Sequence, residues 1–237
     1  MLADPDAVAA AYAGTRRRST DLLREVGAGD DVAGRTVPAC PEWTVAQLVG
    51  HMVGVCDDVL AGNIADAGSD PWTAAQVARA EGTPLADLLD HWDEVGPQVE
   101  ALIPAVPPGP TSQMVFDVTT HEHDLRGTLD RPGARDSDGI DVGLGFLAKS
   151  LHRLIEAESL PSLEITTSGR VLTLGPVAEG SEADLHLAGP AFEVFRAFGG
   201  RRTVDQVRAL DWSADPAPVL DAFFGGVLRP PVEPLAE

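Results

Sequence analysis

The chain has 237 residues, a mass of 24.8 kDa, 17 basic and 37 acidic side chains, and a formal net charge of −20. Its hydrophobic fraction of 44% and charged fraction of 23% suit a folded globular protein rather than a disordered chain. The acidic excess argues against nucleic acid and anionic membrane surfaces as partners, because both attract clustered basic residues.

Residues 1–158 have the sequence pattern of a helical bundle. Apolar residues recur three and four positions apart, which is the spacing of one helix face. Five helices are predicted. The first has an apolar face from Val8 to Val26, the second runs from Thr44 to Gly62, and the third begins at Pro84 and has an apolar face up to Val99. The fourth runs from about Ser112 to Leu129, and the fifth from Asp138 to Glu158. Together they predict an up-and-down bundle.

The second of these helices has the clearest boundaries. Thr44 and Gln47 form a capping box, and Trp43 and Leu48 occupy the positions of a hydrophobic staple. Gly62 is expected to end the helix, because glycine readily adopts the left-handed conformation found at helix C-termini. Both ends of this helix are therefore predicted from local signals alone.

The sequence changes character after Pro161. Residues 163–167 and 171–174 alternate in polarity around Ser168-Gly169, which predicts a β-hairpin. A third strand is expected over 183–187, and helices are expected over 190–198 and 216–224. The predicted fold class is therefore α+β, in which the helical bundle is followed by a small α+β domain over residues 159–237.

We expect a soluble cytoplasmic protein, because the sequence has neither the pattern of a membrane-spanning helix nor that of a secretory signal. No window approaches the roughly 20 apolar residues that a membrane-spanning helix needs. Asp4 and Asp6 precede the first apolar stretch and arginines at 16–18 follow it, which is the reverse of a secretory signal. Cys40 and Cys56 are too few for a disulfide framework, and this fits a reducing compartment. Both a monomer and a homodimer are compatible with the sequence.

Histidines and acids are concentrated in two of the predicted helices. Asp117 and His121 are four residues apart, so their Cβ atoms lie about 5 to 6 Å apart on one helix face. This is the spacing by which a helix presents two ligands to one metal ion. Asp124 falls on the same face, and His51 lies at the edge of the apolar arc of the second helix. Together, His51, Asp117 and His121 predict a metal site with an open position, as catalytic sites have.

Other interpretations of these residues stay open. The pair Asp117 and His121 also suits a solvated polar helix face, and His51 also suits a hydrogen-bonded histidine at the edge of the core. Glu122 is expected to pair with Arg126, four residues later. The two cysteines are expected to be small buried residues rather than ligands. The sequence has no nucleophile elbow, phosphate-binding loop, dinucleotide fingerprint or paired C-x-x-C motif.

Three segments are more distinctive than the rest of the chain. They are Cys40 to His51 with the sequence CPEWTVAQLVGH, Asp117 to Asp124, and Leu187 to Pro190 with Gly200-Arg201. In these segments the chain resembles the mycothiol-dependent maleylpyruvate isomerase family, which belongs to the DinB-like metal-binding helical bundles. The resemblance covers nearly the whole chain. It implies that the bundle is the family's metal domain and that residues after about 160 form its smaller C-terminal domain.

The resemblance implies a divalent metal ion, usually zinc, held by His51, Asp117 and His121. The family more often has glutamate at the acidic position, so the shorter Asp117 moves the carboxylate by about 1.5 Å and affects metal choice. The resemblance also implies mycothiol, the low-molecular-weight thiol of actinobacteria, as cosubstrate, and the arginine-rich, lysine-poor composition agrees with such a source. Arg201 matches the family's Gly-Arg position and is the candidate catalytic cation for a carboxylate of the substrate or thiol.

The implied function is a transferase or isomerase in which a metal-bound thiolate attacks a small electrophile. A thiol coordinated to zinc is deprotonated at neutral pH, unlike a free thiol. Adding the thiolate to a double bond, rotating and expelling it would isomerise cis to trans, whereas displacing a leaving group would give an S-conjugate. Two alternatives are a non-catalytic metal-binding bundle whose C-terminal domain binds a ligand or partner, and a metal-dependent hydrolase that uses bound water.

Overall fold

The computed structural model of the chain describes residues 2–226 and 228–237. These residues form two compact units, which are described separately. The N-terminal unit comprises residues 4–133, and the C-terminal unit is formed mainly by residues 134–236. The predicted α+β fold class is confirmed, since one unit is helical and the other contains a sheet.

The N-terminal unit is built from long helices that pack side by side. Its helices are α1 (Pro5–Val26), α2 (Asp30–Ala33), α3 (Val45–Ala61), α4 (Asp70–Arg79), α5 (Leu85–Leu102) and α6 (Pro108–Leu129), with a short 3-10 turn at Ile103–Ala105. Helix α1 packs against α5 and α6, and α3 packs against α4, α5 and α6. Two short strands, β1 (Thr36–Val37) and β2 (Cys40–Thr44), form an antiparallel pair immediately before α3.

The C-terminal unit combines a small mixed sheet with short helices. Its elements are α7 (Asp138–Glu158), β3 (Leu163–Thr167), β4 (Arg170–Leu174), β5 (Leu185–Ala188), α8 (Ala191–Phe198), α9 (Val204–Arg208), β6 (Asp211–Trp212) and α10 (Ala217–Phe224). The strand order is β4-β3-β5-β6, in which β3 and β5 are parallel and the other pairs are antiparallel. The β-hairpin predicted from sequence is thus present as β3 and β4.

Helix α7 belongs to the C-terminal unit by its packing, because it contacts α8 and β4. The sequence-based boundary between residues 158 and 159 stays a prediction, since a compact unit need not coincide with a folding domain. The two predicted domains also include Met1 and Val227, which lie outside the described residues. Within the described part of the chain, no helix combines the length and the hydropathy that a membrane span requires.

Helix α3 begins and ends where its local signals predict. The Thr44 hydroxyl accepts a hydrogen bond from the Gln47 backbone N–H at 3.3 Å, and the Gln47 side chain accepts one from the Thr44 N–H at 2.9 Å. Gly62 has a φ of 72°, a left-handed conformation that glycine adopts without steric cost. These caps satisfy orphan backbone groups at both ends and fix the phase of the helix that carries His51.

Helix α4 and the β1–β2 pair were not predicted from sequence. Helix α4 is mostly exposed and has Gln76 as its buried residue, so it lacks the apolar periodicity on which helix prediction depends. The structure also begins α6 at Pro108, one turn before the predicted start, because prolines fit the first turn of a helix.

Two glycines one turn apart on α3 allow α4 to approach closely. A Cβ atom at Gly50 would lie 2.4 Å from the Cβ of Ala80, and one at Gly54 would lie 2.6 Å from the Cβ of Gln76. Both distances are shorter than van der Waals contact between carbon atoms. Helix α4 can therefore keep its position only because these two side chains are absent.

Replacing Gly50 with alanine is expected to destabilise the protein. In an exposed helix interior, alanine stabilises the helix by about 1 kcal/mol relative to glycine. At position 50, however, the added methyl group overlaps Ala80, and overpacking of this kind costs about 1–3 kcal/mol. We expect Gly50→Ala to lower the free energy of unfolding measured in urea. The matched control is Gly109→Ala in α6, where a Cβ atom would meet nothing within 4 Å and stability should be unchanged or higher. Equal stability of Gly50→Ala and the wild type would contradict close packing of α4.

Candidate metal centre

Helices α3 and α6 bring together the three ligands that the sequence predicts. The Nε2 atom of His51 lies 3.4 Å from Oδ2 of Asp117, and the Nε2 atom of His121 lies 3.5 Å from Oδ1 of the same carboxylate. One potential ligand atom from each residue lies within 4.8 Å of the others. We call His51, Asp117 and His121 the candidate metal centre.

The spacing of these atoms suits a small cation. The ligands of a tetrahedral zinc ion, with bonds of about 2.0–2.1 Å, lie about 3.4 Å apart. The two nitrogen–oxygen separations in the candidate metal centre are 3.4 and 3.5 Å, longer than a direct hydrogen bond of ordinary length. Two imidazole nitrogens and one carboxylate also form a donor set that zinc accepts. The residues present therefore fit a divalent metal ion.

The second nitrogen of each histidine has a partner outside the centre. The Nδ1 atom of His51 lies 2.7 Å from Oε1 of Gln76, and the Nδ1 atom of His121 lies 3.0 Å from Oδ2 of Asp124. Metal-ligating histidines usually donate their other ring N–H to an oxygen in this way, which orients the ring and its lone pair. Both Nε2 atoms are thus directed toward Asp117.

The centre is closed on one side and open on the other. His51 and His121 are 4% and 7% exposed, whereas the side chain of Asp117 is 36% exposed. Helix α6 explains the burial of His121, because every residue from Val118 to Leu125 is buried. A metal ion held here would keep a face accessible from the Asp117 side, which is a property of catalytic rather than structural sites.

Opposite charges perturb the acid and one of the bases in the metal-free centre. Desolvation opposes the charged form of Asp117, but His51 and His121 outweigh it and hold the pKa of the carboxyl well below its usual range. Desolvation likewise opposes protonation of His121, yet Asp117, and a further hydrogen bond that the ring donates to Asp124, raise the pKa of the imidazole above its usual range. In the absence of a metal ion, a proton on His121 therefore compensates the charge of Asp117.

Trp43 lies against both histidines. Its ring centroid is 5.3 Å from that of His51 and 6.2 Å from that of His121, and the two imidazoles are themselves 5.3 Å apart and nearly perpendicular. Strand β2 supplies this tryptophan just before the capping box of α3. From sequence, Trp43 was predicted only as part of a hydrophobic staple. In the structure its ring forms one wall of the candidate metal centre.

The two cysteines have different surroundings. Cys56 is buried and lies 3.1 Å from the Tyr12 hydroxyl, and burial raises the pKa of its thiol to about 11, so it fits the predicted small buried residue. Cys40 is half-buried, and its Sγ lies 3.9 Å from Oδ2 of Asp124. Cys40, His121 and Asp124 form a second group whose ligand atoms lie within 4.8 Å. Asp124 already bonds the outer nitrogen of His121. We therefore place this second group beside the candidate metal centre and do not treat it as an alternative set of ligands.

Arg201 was predicted from sequence as a site residue, whereas Gln76 was not. Arg201 lies in the C-terminal unit after α8, where its guanidinium donates to the backbone oxygen of Gly199 at 3.2 Å, and its catalytic role stays a prediction. Gln76 was missed as the partner of His51 because α4 was not predicted. The available signal was the pair Gly50 and Gly54, which marks a close helix contact on the His51 helix.

Comparison with known proteins gives three results. Residues 12–129 match the family described as the mycothiol maleylpyruvate isomerase N-terminal domain. The crystal structure of a mycothiol-dependent maleylpyruvate isomerase has a TM-score of 0.54 to this chain at 12% identity, and a His-to-Ala mutant of a protein of that name has a TM-score of 0.59 at 13% identity. Each comparison covers 97% of this chain and 97% of the other. No curated protein sequence matches the chain significantly.

These results bear on the family and the fold in different ways. Structural similarity at 12–13% identity establishes a common fold and nothing finer. The sequence match is more specific, because it spans about half of the chain and contains all three residues of the candidate metal centre. The chain therefore belongs to the mycothiol maleylpyruvate isomerase family through its N-terminal domain.

Proposed function

We propose that this protein is a metal- and mycothiol-dependent enzyme that isomerises, or adds a thiol to, a small electrophile. The observation that carries the proposal is the convergence of His51 and His121 on the half-exposed carboxylate of Asp117, with each outer ring nitrogen already bonded. Family membership and the isomerases with the same fold support mycothiol as the thiol and maleylpyruvate as the first substrate to test. Zinc is the first metal to test.

The proposed chemistry depends on lowering the pKa of a thiol. A free thiol has a pKa of about 8.5 and is mostly protonated at neutral pH, whereas a divalent metal at this centre would hold the thiol as its nucleophilic thiolate. The protein supplies the means of holding that metal. His51 and His121 are fixed by their outer hydrogen bonds, and Asp117 contributes one negative charge at the open side.

The remaining groups of the centre exclude water and leave an approach for the reactants. Trp43 and the buried part of α6 cover the histidines, so solvent reaches the centre from the side of Asp117. Arg201 is proposed as the cation that binds a carboxylate, because a guanidinium forms two parallel hydrogen bonds with that group. This assignment is supported by the resemblance of its Gly-Arg position to the family.

Zinc binding tests the ligand set directly. The protein should bind one zinc ion per chain, and His51→Ala and His121→Ala should each weaken binding by more than about 100-fold, since losing even an outer-shell partner costs 10- to 100-fold. The affinity can be measured by competition with a chromophoric chelator. The matched control is His91→Ala, because His91 in α5 pairs with Asp57 and is not part of the centre. Stoichiometric zinc in both centre variants would show that the ligands are other residues.

The affinity for zinc should rise with pH. His121 has a raised pKa in the metal-free protein, so below that pKa zinc must displace a proton from its imidazole. Each proton released makes the affinity increase by about tenfold per pH unit. Isothermal titration calorimetry in buffers of different ionisation enthalpy counts these protons. An affinity that is constant below the pKa of His121 would be inconsistent with this imidazole as a ligand.

Activity should require both the metal and the thiol. With maleylpyruvate and mycothiol, the zinc-loaded protein should convert the cis to the trans isomer without consuming thiol, whereas an S-transferase would consume one thiol per product. The loss of activity in His51→Ala should accompany the loss of zinc, and His91→Ala should retain both. A hydrolysis product formed without thiol would instead identify a hydrolase, and inactivity on every electrophile of a thiol-conjugation screen would count against an enzyme.

A further inference from the structure

A continuous chain of hydrogen bonds connects the surface of α4 to His51. Nε2 of Gln76 donates to Oδ2 of Asp58 at 2.7 Å, and Oε1 of Gln76 lies 2.7 Å from Nδ1 of His51. The same aspartate accepts from Asn63 at 2.9 Å and pairs with Arg79 at 2.9 Å. Gln76 is fully buried and Asp58 is 5% exposed, so water does not compete for these bonds.

The carboxylate of Asp58 determines which atom donates and which accepts in each of these hydrogen bonds. An ionised carboxylate only accepts hydrogen bonds, and three donors surround this one. The amide nitrogen of Gln76 must therefore face Asp58, which leaves the amide oxygen facing His51. Because that oxygen only accepts, Nδ1 of His51 must carry the proton. The lone pair of the neutral imidazole is then on Nε2, the atom directed toward Asp117.

Helix packing brings the side chain of Gln76 close to both of its partners. A Cβ atom at Gly54 would lie 2.6 Å from Cβ and 2.8 Å from Cγ of Gln76, so the side chain of Gln76 fills the space above this glycine. Asp58, which accepts a hydrogen bond from the amide of Gln76, lies one turn after Gly54 on helix α3. The position of α4, which the glycines of α3 permit, therefore places the amide of Gln76 between Asp58 and His51.

The two histidines of the centre are oriented by different groups. His121 is bonded directly to the carboxylate of Asp124, whereas His51 is separated from the carboxylate of Asp58 by a neutral amide. A carboxylate stabilises an added positive charge on the ring, but an amide oxygen mainly selects the tautomer.

We infer that Gln76, oriented by Asp58, is a positioning residue that fixes His51 in the tautomer able to bind a metal ion through Nε2. The inference rests on the proposed metal centre and deepens it. It assigns a function to α4, a helix that carries no predicted ligand. It also gives the buried Asp58 a role beyond pairing with Arg79.

The first test removes the amide and keeps the shape of the side chain. Gln76→Met should weaken zinc binding by about 10- to 100-fold, the effect of losing an outer-shell partner. NMR of isotope-labelled histidine should show a slowly exchanging Nδ1 proton on His51 in the wild type and its loss in the variant. The matched control is Gln98→Met, an exposed glutamine on α5 that should leave both measurements unchanged.

The second test exchanges the amide of Gln76 and the carboxylate of Asp58. Gln76→Glu alone places a carboxylate against Asp58 and should weaken zinc binding. Combining it with Asp58→Asn restores one carboxylate and one amide, with the new carboxylate accepting from His51. The double variant should therefore recover most of the affinity and the Nδ1 proton signal. If Gln76 had a purely structural role, the double variant would bind zinc no more tightly than Gln76→Glu alone.

The outcomes separate this inference from the proposed function. If the wild type binds no zinc, the metal centre fails and the inference fails with it. If His51→Ala loses zinc but Gln76→Met binds it as tightly as the wild type, only the inference is overturned. It is also overturned if Gln76→Met weakens binding while keeping the Nδ1 proton of His51, or if the double variant shows no recovery. Thermal unfolding of each variant confirms that folded protein is compared.

Discussion

The carboxylate of Asp117 lies between two imidazoles, and much of the N-terminal unit is arranged around that contact. Two basic rings can approach one acid in a partly buried site only if every other polar atom of the rings is satisfied. The outer nitrogens meet this condition by bonding Gln76 and Asp124. Each of these partners is in turn fixed by its helix, so the chemistry of the centre is inseparable from the packing of α3, α4 and α6.

The same constraint explains an unusual feature of α6, which is buried around its full circumference over about two turns while carrying charged residues. Glu122 is fully buried and is compensated by Arg126 at 2.9 Å, as predicted from sequence, and by Arg18 of α1 at 2.6 Å, which was not predicted. Removing one partner from a buried ion pair leaves a charge without compensation and is strongly destabilising. These pairs therefore fix the register of α1 against α6 and the position of His121.

The net charge of −20 has little to do with the candidate metal centre. Among the described residues, the fully buried acids are Asp58, Glu122 and Asp124, and each one accepts from a named donor. Most other acids lie at exposed positions, where solvent screens them. The arginine Arg16 follows the same rule, since its buried guanidinium is held between Asp93 and Glu100 at 2.7 Å. Each of these buried charged side chains of the N-terminal unit therefore has a hydrogen-bonding or oppositely charged partner.

The sequence by itself determined the long helices, the caps of α3, the hairpin of β3 and β4, and the three candidate ligands. These features depend on local spacing: the capping box spans three residues, and Asp117 and His121 are separated by one helical turn. Local patterns can be predicted from sequence because helix and strand geometry fixes how residues a few positions apart lie relative to one another. The family resemblance added zinc as the expected metal and mycothiol as the expected thiol.

Only the tertiary structure decided which groups surround those ligands. Gln76 reaches His51 from a helix without apolar periodicity, and Trp43 covers both histidines from a short strand. Such contacts join residues far apart in the chain, and their existence depends on how closely two backbones approach. At Gly54 that approach is set by the absence of a single methyl group, so the physical cause of the Gln76 position is visible only when both helices are in place.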